Sequence, residues 1–136
     1  MASINHKLVI KASPEKIYEA ITSQEGLKSW FAKQTEAKPE VGFANTFTFG
    51  TFVNEMKITS LTPNKQVEWH CTKSIEEWVG TNVLFELEST TDKTILRFAH
   101  ADWRAVTDSF ASTNYDWGRF LASLKTFCEI GEGKPS

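Results

Sequence analysis

Residues 108–131 read DSFASTNYDWGRFLASLKTFCEIG. Phe110, Asn114, Trp117, Leu121, Leu124 and Cys128 recur at steps of four and three, and Phe120 and Phe127 widen the stripe. That spacing lays one broad apolar face along a long helix. Arg119, Ala122, Ser123 and Thr126 are expected on the opposite side. Gly131 and Gly133 end the helix, and Pro135 blocks its resumption. Asn114 is a polar member of an otherwise apolar stripe.

Moving outward from this helix, the hydrophobic period changes to two. Residues 94–102 put Leu96, Phe98 and His100 on one face and Arg97 on the other. Residues 81–89 alternate Val83, Phe85 and Leu87 with Glu86 and Glu88. Residues 66–73 turn Val67, Trp69 and Cys71 inward and Glu68 and His70 outward. Residues 52–61 align Phe52, Asn54, Met56 and Ile58, and Phe43, Asn45, Phe47 and Phe49 share one parity. Turns fall at Gly50, at Thr62-Pro63-Asn64-Lys65 and at residues 90–93. Residues 74–80 form a connection carrying Trp78, and residues 35–38 suit a short strand.

Nearer the N-terminus, residues 6–11 alternate around Leu8 and Ile10 as a first strand. Ser13-Pro14-Glu15 then supplies an N-cap, a first-turn proline and an acid at the positive end of a helix dipole. Ile17, Ala20 and Ile21 form its buried face. Ser23 caps a second short helix, with Leu27, Trp30 and Phe31 at helical spacing. Alternation with one wet face marks an antiparallel sheet. The expected arrangement is α+β: a strongly curved antiparallel sheet wrapped around the long C-terminal α-helix, with two short helices after the first strand. A cavity is expected between sheet and helix, capped by the Trp30–Phe31 bracket.

The chain has 136 residues, which suits one domain with a core large enough to need no staples. Ten Phe and five Trp are a heavy aromatic load, and rings both fill wide cores and line pockets. A formal charge of −2 gives no electrostatic footprint for nucleic acid, and no basic run suggests an anionic membrane surface. The N-terminus lacks a signal-like apolar region and no stretch is long enough to insert into a membrane. A soluble cytoplasmic protein is expected. Cys71 and Cys128 sit at apolar positions outside any C-x-x-C and are expected as small buried hydrophobes.

The stretches IKASPEKIYEAIT, LKSWF, WVGTNVLFELES, TILRFAH and YDWGRFLASLKTFCEIGEGKP follow one another across nearly the whole chain. In that order they resemble the START-like, or SRPBCC, superfamily with its helix-grip fold. Within it they are most similar to small bacterial proteins related to the C-terminal domain of the activator of the heat-shock-protein-90 ATPase. The resemblance implies a single START-like domain over residues 1–136 with a hydrophobic ligand cavity; relatives with such cavities include lipid carriers, hormone receptors and polyketide cyclases. Two features depart from the pattern. Phe43 follows Gly42 where the family often shows a second glycine. The length also leaves no room for the additional N-terminal domain of the eukaryotic activator, which weakens any carry-over of chaperone activation.

Candidate polar groups are few. His100 shares the inward parity of Leu96 and Phe98, as a ligand-orienting group or general base or as a structural histidine. Asn54 and Asn114 occupy apolar-pattern positions, where an amide needs a partner from protein, water or ligand. Asn45 is a weaker case, because edge strands turn polar groups outward. The aromatics Trp30, Phe31, Phe47, Trp69, Phe85, Phe98, Phe110 and Trp117, with Leu121, are expected to form core and cavity lining. Asp102 follows His100 by two and would share its face. His6, His70 and His100 lack metal-ligand spacing, and Glu76-Glu77 reads as a solvated rim. No phosphate loop or nucleophile elbow is present.

The leading expectation is therefore a non-catalytic module that binds a small apolar or amphipathic molecule, without cofactor or metal, as a monomer or homodimer. The alternatives are a co-chaperone-like interaction module that docks on a chaperone and a cyclase- or hydrolase-type enzyme using His100.

Overall fold

The computed structural model describes residues 1–136. Its strands are β1 (Ala2–Ile10), β2 (Gln34–Glu36), β3 (Ala44–Phe49), β4 (Phe52–Thr62), β5 (Gln66–Lys73), β6 (Asn82–Ser89) and β7 (Thr94–Trp103). Its helices are α1 (Pro14–Thr22), α2 (Gln24–Trp30) and α3 (Asp108–Ile130). The seven strands form one sheet in the order β1-β7-β6-β5-β4-β3-β2, and the neighbours are antiparallel. The fold is the expected α+β helix-grip arrangement.

Local chemistry sets the boundaries. Ser13 Oγ accepts from Lys16 N–H at 3.2 Å, Ser23 Oγ from Gly26 N–H at 3.0 Å and Thr107 Oγ1 from Phe110 N–H at 3.2 Å, so each helix begins on a hydroxyl cap. Gly131 ends α3 in the left-handed region at φ 82°, where its N–H reaches Phe127 O. The sheet curls over α3 and buries Ile4, Ile10, Met56, Ile58, Val67, Trp69, Val83, Phe85, Leu96 and Phe98. The free edge of β1 is guarded by α3. Lys125 Nζ donates to Val9 O at 2.6 Å, Glu129 Oε2 accepts from Lys11 N–H at 2.7 Å, and the two side chains pair at 2.7 Å. Bonding the edge to side chains leaves less backbone free for a foreign strand.

The helix face departs from the expected stripe. Asn114 is exposed, and Thr113 is buried in its place. At 100° per residue, Asn114 sits about 60° from Trp117, on the side facing β1. There its Oδ1 meets His6 Nε2 at 2.9 Å. Ser123, expected on the wet side, is buried. Its Oγ donates to Trp30 O at 2.8 Å and accepts from Lys134 N–H at 2.6 Å. The reason is the tail. Residues after Gly131 fold back across α2, where Ser136 N–H donates to Phe31 O at 2.9 Å and Lys33 N–H to Ser136 O at 2.9 Å. A Cβ at Gly133 would overlap Ser29 O, so glycine permits this close approach.

Two further expectations fail for backbone reasons. Asp102 does not share a face with His100. Its φ of 69° breaks the alternation at the end of β7, exposes its carboxylate and buries Trp103. Asn45 points inward, fully buried; its Oδ1 accepts from Lys38 N–H at 3.3 Å. The short β2 covers this part of β3, so β3 is not the sheet edge.

Candidate aromatic-walled groove

Much of the space between sheet and helix is filled with rings. Phe31, delivered by the end of α2, lies at its centre. Its ring is 4.8 Å from Phe47, 5.0 Å from Phe120 and 5.5 Å from Trp117, on which it stacks at 10°. Trp69 continues the cluster at 5.4 Å from Phe47 and 5.1 Å from Phe85, and Phe98 closes it at 5.2 Å from Phe85 and 4.4 Å from Trp117. Edge-to-face and offset contacts of this kind add to the area term of burial. Trp30 is locked beneath by its indole N–H, which donates to Ala20 O at 2.8 Å. Leu121 is buried on α3, and Phe110 packs half-buried against Trp103 at 5.1 Å.

An opening remains beside the N-terminal half of α3. It has a volume of about 290 Å³. Phe49, Phe52, Ile75, Trp78, Trp117 and Phe120 form its apolar walls. Asn54, Ser74, Ser109, Ser112, Thr113 and Asp116 supply its polar rim. The walls are ordered in pairs: Trp78 and Trp117 lie 6.4 Å apart at 15°, and Phe49 and Phe120 lie 5.9 Å apart at 25°. Trp78 is held by its N–H, which donates to Thr113 Oγ1 at 3.1 Å. Asn54 is fixed too; its Oδ1 accepts from the Ser74 hydroxyl and its Nδ2 donates to Phe47 O at 3.3 Å.

Of the side chains singled out from sequence, Asn54 and Trp117 line this groove. Trp30, Phe31, Phe47, Trp69, Phe85, Phe98, Phe110, His100 and Leu121 do not, and Asn114 is turned toward β1. Strand parity identified the inward-facing side chains but not the depth at which each packs. The residues missed lie on connections and on the flank of the helix. Ile75 and Trp78 are large apolar side chains in a loop, and Phe49 and Phe52 bracket the Gly50 turn. Those four were the available signal.

His100 forms the rear of this region. It is fully buried, and both ring nitrogens are engaged. Trp117 Nε1–H donates to Nδ1 at 3.1 Å, which fixes the neutral tautomer with the proton on Nε2. Nε2–H then donates to Thr81 Oγ1 at 2.7 Å, and the Thr81 hydroxyl donates a hydrogen bond to Trp78 O. Burial pushes the imidazole pKa down to about 3. This directional chain ties β7, the 74–81 connection and α3 together. Asp102 takes no part; its Oδ2 accepts from Asn82 Nδ2 at 2.7 Å on the outer face. Cys71 and Cys128 are free and buried, and burial raises both thiols to about 11, far from a reactive thiolate. No three His, Cys, Asp or Glu side chains converge as a metal site. No helix is long and apolar enough to cross a membrane.

Residues 11–129 match the family model described as activator of Hsp90 ATPase homolog 1-like protein. Among solved structures, the chain is similar to the Aha1 dimer from Colwellia psychrerythraea. The two share 42% identity with a TM-score of 0.91, over 98% of this chain and 100% of that one. A protein from Mesorhizobium loti matches at 21% identity and TM-score 0.81, over 92% of this chain and 95% of its own. One from Staphylococcus saprophyticus matches at 15% and 0.82, over 98% and 96%. These two likenesses establish the fold alone. No curated protein sequence matches.

Proposed function

Because the chain belongs to the family of activator of Hsp90 ATPase homolog 1-like proteins, we propose that it works through the groove beside α3 as a non-catalytic binder of a small amphipathic molecule. The observation that carries this reading is the Trp78–Trp117 pair standing over an opening of about 290 Å³. Small-molecule sites are concave and mostly apolar, with a few placed polar groups, and run upward from roughly 300 Å³. This groove fits the small end of that class. His100 has no role in turnover here, because its nitrogens are engaged and it is walled off by Trp78, Trp103 and Trp117.

The test is a titration of small amphiphiles followed by tryptophan fluorescence, with melting temperature in parallel. A ligand of the groove quenches Trp78 and Trp117 saturably. At a hundredfold excess over its Kd it stabilises the fold by about 2.7 kcal/mol. A broad panel that produces neither signal ends the proposal.

Family membership and the 42% identical Aha1 support a second reading, a co-chaperone-like module that docks on a chaperone. Stimulation of a chaperone's ATPase turnover by the purified protein is its measurement, and unchanged turnover with no complex formed counts against it. The dimeric state of the Colwellia protein supports a homodimer here. The exposed Val79 and Val106, outside the groove lining, offer apolar surface for it, and light scattering across a dilution series reports the outcome. The two free, buried thiols suit a reducing cytoplasm.

A further inference from the structure

The groove's charge distribution says more about its ligand than its shape does. Asp116 is the one ionisable residue among its lining side chains. Its Oδ1 accepts from Arg119 Nη2 at 2.8 Å, with the two side chains 45% and 51% exposed, so the carboxylate keeps free lone pairs. Arg119 itself lies outside, with its guanidinium 5.4 Å from the Phe120 ring and 5.7 Å from Tyr115. The cation at the rim is thus already engaged by Asp116 and the neighbouring rings, and no cation is among the lining side chains. The positive end of α3 is also countered. Asp108 sits in the first turn, and the capping Thr107 donates its hydroxyl proton to Glu77 Oε2 at 2.6 Å. The Trp78 N–H and the Asn54 amide are already bonded within the protein. What remains toward the opening is one carboxylate, a few hydroxyls and the faces of aromatic rings.

Resting on the groove-binding reading above, we infer that the ligand is a cationic amphiphile, an amine on a short apolar body. The ammonium sits at Asp116, and the apolar part lies between Trp78, Phe52 and Phe120. Both elements favour an ammonium over a carboxylate or phosphate: the carboxylate by direct attraction, and the ring faces through their negative quadrupole. A fatty acid would bring a second negative charge beside Asp116, with only neutral hydroxyls among the lining side chains to receive it.

The experiment uses three probes of equal chain length: n-octylamine, 1-octanol and octanoate. Each is titrated at neutral pH, at low and at high salt, against the native chain, Asp116→Asn and Arg119→Gln. Tryptophan fluorescence gives affinity, and circular dichroism verifies the fold. The amine is expected to bind about tenfold or more tighter than octanoate, with the gap narrowing as salt screens the pair. Asp116→Asn brings the amine down to the affinity of the alcohol and leaves the alcohol unchanged. Arg119→Gln frees the carboxylate and tightens the amine. Octanoate or octanol binding as well as the amine, or an amine-to-alcohol ratio unmoved by Asp116→Asn, overturns the inference while the groove reading stands. Failure of all three probes to bind overturns both.

Discussion

The two halves of the space between sheet and helix use the same residue types to opposite ends. Around Phe31 most ring neighbours lie 4.4 to 5.5 Å apart, with Trp69 at 6.4 Å, and Phe31, Phe47, Trp69, Phe85 and Phe98 are all buried. Beside the first turns of α3, paired rings stand at 5.9 and 6.4 Å and leave an opening. The difference lies in the supporting backbone. The closed half is roofed by α2 and by the tail folded over it. The open half is bounded by a hairpin turn and a loop, neither of which reaches across. Trp117 belongs to both halves, since it stacks on Phe31 and stands opposite Trp78, while its N–H starts the hydrogen-bond chain through His100. Aromatic content alone therefore does not distinguish core from pocket; what covers the rings does.

Trp117→Ala is the change expected to do most damage. It empties the centre of the closed half and leaves His100 Nδ1 without its donor, at a cost of about 3–5 kcal/mol in urea unfolding. Trp117→Phe keeps most of the packing and isolates the lost hydrogen bond, at about 1–3 kcal/mol. A cost below about 1 kcal/mol for the alanine variant would mean that the two halves do not share this side chain as described.

The buried His100 should also make the fold acid-sensitive. Burial holds His100 near 3 against an ordinary value of 6.5. Between those values the unfolded chain binds the proton and the folded chain does not. Stability conferred by the neutral imidazole is thus complete above 6.5 and declines as pH falls, by at most about 1.4 kcal/mol per pH unit. Denaturant titrations across this range should show that slope, and His100→Gln should lose its part of it. An unchanged slope in the variant would place the acid sensitivity elsewhere.

The roof over the closed half rests on Ser123. Ser123→Ala removes a donor to Trp30 O and an acceptor for Lys134 N–H together. A loss of about 1–2 kcal/mol is expected, with earlier amide exchange at Lys134 and Ser136. If exchange in the tail is unaltered, the tail is not held by this residue.

Much of the fold was legible because period and punctuation are local. The alternation through residues 81–89, the Ser13-Pro14-Glu15 start of α1 and the glycine stop of α3 each follow from a few neighbouring residues. The site was less so. Asn114 and Thr113 compete for one helix face, and the winner depends on where β1 crosses α3. Ser123 reads as solvent-facing until the tail is laid over it. Asp102 breaks strand alternation through its own positive φ, which no apolar pattern announces. In the first two cases the deciding partner is distant in sequence, and in the third it is a local backbone break.

The smallest stability effect is expected in the open half, where it is the most diagnostic. Phe52 and Ile75 remain 44% and 40% exposed although they wall the groove. Phe52→Ser should cost about 1 kcal/mol or less, below Ser123→Ala, since almost half of the ring already faces solvent. The same change removes an apolar wall and should weaken amphiphile binding several-fold in the fluorescence titration. Binding lost with little change in stability is what a preformed groove with exposed rims requires. Were Phe52→Ser instead to destabilise the fold as much as Ser123→Ala does, Phe52 would be packing inward in solution. The opening would then be an extension of the core, and the distinction between the two halves would not hold.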